Sequence, residues 1–148
     1  MSGAALATGE VVGPLQKIVL HALSILLPKL PALQLEANDV CHDPAVVEAY
    51  RNDPNVYTGK IRVRLISEIL RTADSVLKNA ASITLPMLIL HGGDDKMASS
   101  SGSEKLYAGI SSSDKTLKIY PKLYHEIFLE PEKYDIYADV NAWLEQQL

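Results

Sequence analysis

Apolar residues recur at three- and four-residue spacing from Pro14 to Leu27, through Leu15, Ile18, Val19, Ala22, Leu23, Leu26 and Leu27. That spacing predicts one helix, closed by Pro28 and Pro31. After a polar turn, Asp43-Pro44 opens a short helix, with Asp43 suited to the cap and Pro44 to the first turn. It runs through Val46, Val47 and Tyr50 to Asn52-Asp53-Pro54. A third helix is expected from about Ile61 to Asn79, and no strand is expected in this helix-rich first region after its opening residues. The pattern then changes. Leu85 to His91 is a continuous apolar run ending at Gly92-Gly93, as in a strand buried on both faces. Ser103 to Ile110 fits a helix, Lys115 to Tyr120 alternates as a second strand, and Glu130-Pro131 opens a last helix. Strand, helix, strand, helix implies two parallel strands joined by a crossover, an α/β arrangement.

A chain of 148 residues can bury one modest core or part of a larger one. A formal net charge of −4 offers no basic footprint for nucleic acid, so none is expected as a partner. Cys41 is the one cysteine, which excludes an internal disulfide and favours a reducing, cytoplasmic setting. The opening residues lack a basic stretch followed by an apolar one, so a signal peptide is not expected. The apolar stretch Ile18–Leu33 is too interrupted by polar residues and prolines to span a membrane.

Candidate chemistry sits after the two strands, where ligands bind in open α/β sheets. Gly92-Gly93-Asp94-Asp95 follows the first, and Leu123-Tyr124-His125-Glu126 the second. A carboxylate on one loop beside an imidazole on the next suits an acid that orients a histidine base. The carboxylate selects the tautomer with hydrogen on Nδ1 and leaves Nε2 free to take a proton. Asp94 and Asp95 both remain open for the acid at this level.

Leu88-Ile-Leu-His-Gly-Gly-Asp-Asp-Lys96 resembles the strand and acid loop of α/β-hydrolases. Lys118 to Glu130 resembles the histidine loop of monoacylglycerol lipases and related serine-aminopeptidase-like hydrolases, and Asp135 to Leu144 their closing helix. Asp43 to Tyr50 with Asn52-Asp-Pro54 looks like their lid, and Ser2 to Leu6 like the end of the strand before it. The resemblance implies residues 1–80 as a helical lid (1–6 being the strand tail) and 81–148 as the C-terminal part of an α/β-hydrolase core. It places Asp95 on the catalytic acid and His125 on the general base, and implies carboxylic-ester hydrolysis of a lipophilic ester such as monoacylglycerol. No cofactor is implied. Tyr50 falls where a lid residue would approach the acyl pocket, or else packs in the core.

The nucleophile of such enzymes lies in a G-x-S-x-G turn, and no such pentapeptide occurs in these residues. Ser99-Ser-Ser-Gly-Ser103 follows the acid loop and reads as the start of a helix. The chain is therefore expected to be inactive by itself, and three readings stand open. An N-terminal half on another chain completes it, it is a non-catalytic binding module, or it is a truncated product without activity. His91 is expected to pack, His21 and His42 to lie on the surface without metal-ligand spacing, and Cys41 to be an ordinary thiol. The stripe Leu15, Ile18, Leu23, Leu26, Leu27 either covers the core or rests at a membrane surface. A sheet lacking its neighbours would also expose a strand edge for self-association.

Overall fold

The structure, a computed structural model, describes Leu6 and residues 12–148. The expected strand tail at 1–6 lies outside the described residues except for Leu6, which is buried.

Helix α1 (Pro14–Leu26) begins with Pro14 after Gly13, whose N–H donates to the Gln16 Oε1 atom at 2.8 Å. Its inward side is formed by Lys17, Leu20 and Ser24, and Lys17 pairs with Asp74, on the helix at Val63–Lys78, at 2.7 Å. Most of the apolar stripe faces the other way, with Leu15 72% exposed, Ile18 67% and Leu26 75%, while Leu23 is half-buried. Two short strands then enter a helix-rich region in which no strand is expected. Strand β1 (Pro31–Leu33) pairs antiparallel with β2 (Ile61–Arg62), and Val63 N–H donates to the Leu30 carbonyl at 2.9 Å. Between them lies α2 (Pro44–Asn52), capped by the Asp43 carboxylate, which accepts from Ala45 N–H at 2.9 Å. Because Ile61 and Arg62 are engaged with β1, α3 spans Val63–Lys78 and starts two residues later than its periodicity suggests.

Strands β3 (Met87–Gly92) and β4 (Lys115–Tyr120) are parallel, in register from Met87 opposite Lys115 to Gly92 opposite Tyr120. Helix α4 (Ser101–Gly109) connects them and α5 (Lys133–Glu145) closes the chain. Alternation along β3 sends Ile89 and Leu90 to opposite faces of the sheet. Ile89 packs with Ala73, Ala80, Leu106, Ile110 and Leu6, so this core joins α3 to the sheet. Leu90 packs with Leu123, Ile127 and Ile136 on the other side. Burying both faces explains the unbroken apolar run that marks β3. The last helix begins at Lys133, not at Glu130; a 3-10 turn at Ile127–Leu129 precedes it and turns Glu130 inward.

Two glycines set the distance between the loops that follow β3 and β4. A Cβ at Gly92 would lie 2.1 Å from the Tyr124 carbonyl oxygen, and one at Gly93 2.7 Å from Pro121 Cα. Only glycine permits the histidine loop to lie directly on the end of β3. Hydrogen bonds from Gly93 N–H to Tyr120 O (2.7 Å) and from Asp94 N–H to Leu123 O (3.0 Å) fasten the two loops together.

Candidate active site

The acid loop turns so that Asp95 faces inward and Asp94 faces solvent. Asp95 Oδ1 accepts from Met97 N–H at 2.8 Å and Ala98 N–H at 2.9 Å, closing the turn around its own side chain. Oδ2 accepts from His125 Nδ1 at 2.8 Å. Of the two neighbouring aspartates, Asp95 is thus the one on the imidazole. Burial alone would push the Asp95 carboxyl up. The hydrogen bonds from His125, His91 and Ala98 N–H outweigh it and hold the group well below the usual carboxylate range. The bond to Asp95 in turn raises His125 above the ordinary imidazole value, against the opposing effect of burial. Since Nδ1 donates to a carboxylate, the uncharged ring carries its hydrogen there and presents Nε2 as a base. The His125 side chain is 28% exposed while that of Asp95 is fully buried, so the imidazole is reachable and the carboxylate is not.

His91 is more than a packing residue. Its Nε2 lies 2.7 Å from the Ala98 carbonyl, which can only accept, so Nε2 carries a hydrogen. That same N–H faces Asp95 Oδ2 at 3.2 Å, and Nδ1 pairs with Ser103 Oγ at 2.7 Å. His91 is fully buried and holds the acid loop from beneath. The apolar run in which it sits disguised this role; its position at the strand end, four residues before Asp95, was the available signal.

Glu130 is the residue that sequence reasoning missed. Its fully buried carboxylate accepts from Tyr124 N–H (2.8 Å), His42 N–H (2.9 Å) and His42 Nδ1 (3.0 Å). His42, expected on the surface without a role, keeps 41% of its side chain exposed yet stacks on Tyr124 with ring centroids 3.7 Å apart. Cys41 is buried, and burial together with the neighbouring carboxylates pushes its thiol up to about 11, too high for a reactive thiolate at neutral pH. Tyr50, half-buried on α2, stands outside this cluster, and His21 lies exposed on α1. Among the described residues, no group of three or more His, Cys, Asp or Glu could hold a metal ion. None of the described helices is long and apolar enough to cross a membrane.

A family model described as "Serine aminopeptidase, S33" matches residues 1–132. The chain belongs to this family. The monoacylglycerol lipase of Mycolicibacterium smegmatis is 36% identical over 148 residues, covering 100% of this chain and 53% of that protein. The monoglyceride lipase of Homo sapiens is 27% identical, covering 96% of this chain and 48% of that one. The crystal structure of Paleococcus ferrophilus monoacylglycerol lipase superposes with a TM-score of 0.83 at 26% identity, over 97% of this chain and 56% of that chain. The fold is accordingly the C-terminal part of an α/β-hydrolase. The chain spans about half the length of the curated relatives it matches.

Proposed function

We propose that this chain carries the acid and the base of a serine ester hydrolase that acts on monoacylglycerol or a related lipophilic ester, with the attacking serine outside these 148 residues. One observation carries the reading: Asp95 Oδ2 and His125 Nδ1 are 2.8 Å apart, with the acid buried and the imidazole reachable. In the complete site His125 Nε2 takes the proton of the serine hydroxyl as it attacks the ester carbonyl. The imidazolium so formed is stabilised by Asp95 and then protonates the departing alkoxide. Water repeats the sequence to release the acid. Backbone donors for the oxyanion also come from the remainder of the hydrolase fold. Residues 1–80, apart from the core-strand tail at 1–6, act as lid and 81–148 as core, a division supported by the change from helices to parallel strands at β3.

The exposed Leu15, Ile18 and Leu26 on α1 support contact of this lid with a lipid surface, from which a lipophilic substrate would be drawn. The single cysteine favours a reducing, cytoplasmic setting. The test is hydrolysis of a monoacylglycerol by the intact protein, compared with an aminoacyl substrate. Turnover of the ester that is lost in His125→Gln supports the proposal; ester turnover indifferent to that substitution removes it.

A further inference from the structure

We infer that Glu130 is a positioning residue for His125, fastening the histidine loop to the lid segment at Val40–His42. This rests on the assignment of His125 as the base. His125 is flanked by Tyr124 and Glu126, and both neighbours are held by their backbone N–H groups. Tyr124 N–H donates to Glu130 Oε1 at 2.8 Å, and Glu126 N–H donates to the Val40 carbonyl at 2.9 Å. The other oxygen of Glu130, Oε2, accepts from His42 N–H at 2.9 Å, and the Cys41 thiol lies 3.4 Å from it. One carboxylate therefore joins the residue before His125 to a segment more than 80 positions earlier in the chain. The His42 ring covers the join, with Nδ1 3.0 Å from Oε1 and its face stacked on Tyr124.

A fully buried carboxylate survives only where charge-assisted donors replace water. Here those donors come from the two segments it joins, and outweigh burial to leave Glu130 below the usual carboxylate range. Lys96, next to Asp95, adds a second tie: its ammonium pairs with Asp39 at 3.3 Å and lies over the Tyr124 ring at 5.1 Å. That exposed pair is weak; the buried one sets the geometry. Glutamine at 130 would keep the volume but offer one acceptor oxygen to donors now met by two. Tyr124 N–H and His42 N–H would compete for it, and the peptide carrying His125 would loosen from Asp95.

The test uses the intact protein and NMR of the His125 ring, which faces the Asp95 and Glu126 carboxylates. In the unaltered protein His125 should titrate above an ordinary imidazole; in Glu130→Gln its midpoint should move down toward the ordinary value. The Tyr124 and His42 amides then exchange about ten-fold faster or more, as loss of a charge-assisted bond requires. A folded Glu130→Gln protein with His125 unmoved would overturn the role of Glu130 alone. An ordinary His125 midpoint in the unaltered protein would instead overturn the Asp95 pairing and the proposed function with it. Should Glu130→Gln not fold, amide exchange in the unaltered protein decides. A clamp opening as one unit gives Tyr124, Glu126 and His42 a common protection factor, whereas protection differing among the three by ten-fold or more contradicts it.

Discussion

Asp95→Asn isolates the electrostatic part of the site at nearly constant shape. The amide oxygen can occupy the place of Oδ1 and keep the bonds from Met97 and Ala98 N–H, at 2.8 and 2.9 Å. The amide NH2 then replaces Oδ2, where it meets His125 Nδ1 and the N–H of His91 Nε2. His125 can answer by moving its hydrogen to Nε2, the wrong tautomer for a base. His91 retains the Ala98 carbonyl but confronts a second donor. One buried donor left against a donor costs about 1–3 kcal/mol of stability. The sign with pH follows from both partners. Asp95 lies below its ordinary value, so its contribution is present above about pH 4 and is lost as pH falls through its folded value. His125 lies above its ordinary value, so its charge contributes below about pH 6.5 and fades as pH rises through its folded value. The stability difference between wild type and Asp95→Asn should peak between about pH 4 and 6.5. Urea unfolding of the intact protein across that range, followed by Trp143 fluorescence, measures it. A difference that is flat with pH, or an Asp95→Asn protein as stable as wild type, would refute the reasoning.

Gly92→Ala should cost about 2–4 kcal/mol, because its Cβ meets the backbone carbonyl of Tyr124 and not a side chain that can swing away; unchanged unfolding midpoints would contradict this. Ile18→Glu with Leu26→Glu should weaken partition onto phosphatidylcholine vesicles at least about ten-fold, since each apolar side chain inserted contributes more than about 1 kcal/mol; equal sedimentation with vesicles would count against a lipid-facing α1. A two-stranded sheet and the exposed apolar face of α1 should leave the isolated 148 residues self-associated or only marginally folded, read by size exclusion with light scattering and a thermal melt. A monomer with a cooperative, high-temperature melt would show that they suffice alone and favour an independent binding module.

The parts of the fold that were legible in the sequence are those where one local rule suffices. Burial on both faces makes Leu88-Ile-Leu90 continuous, and Asp43-Pro44 combines a cap with a first-turn proline. The direction of α1 was not legible, because Leu15, Ile18, Val19, Leu20, Leu23, Ile25 and Leu26 cover too much of its circumference to select a face. Strands β1 and β2, of three and two residues, are too short to show alternation. At the site, spacing brought the aspartates and His125 to neighbouring loops without separating Asp94 from Asp95; the resemblance favoured Asp95, and the turn closed by Met97 and Ala98 N–H puts its carboxylate on the imidazole. Glu130 was hidden for a different reason: a glutamate before a proline is also what a helix start looks like, and its partners lie far away in the chain.

The central claim, that these residues hold an acid and a base whose serine lies elsewhere, is tested most directly by fluorophosphonate labelling with the modified residue mapped by mass spectrometry. The intact protein, or its complex with an N-terminal half, should be labelled at a serine in a G-x-S-x-G turn outside these 148 residues. Labelling should fall by about three orders of magnitude or more in His125→Gln. The 148 residues alone should remain unlabelled. Stoichiometric labelling of a serine within them, or labelling of the intact protein indifferent to His125→Gln, would contradict the account.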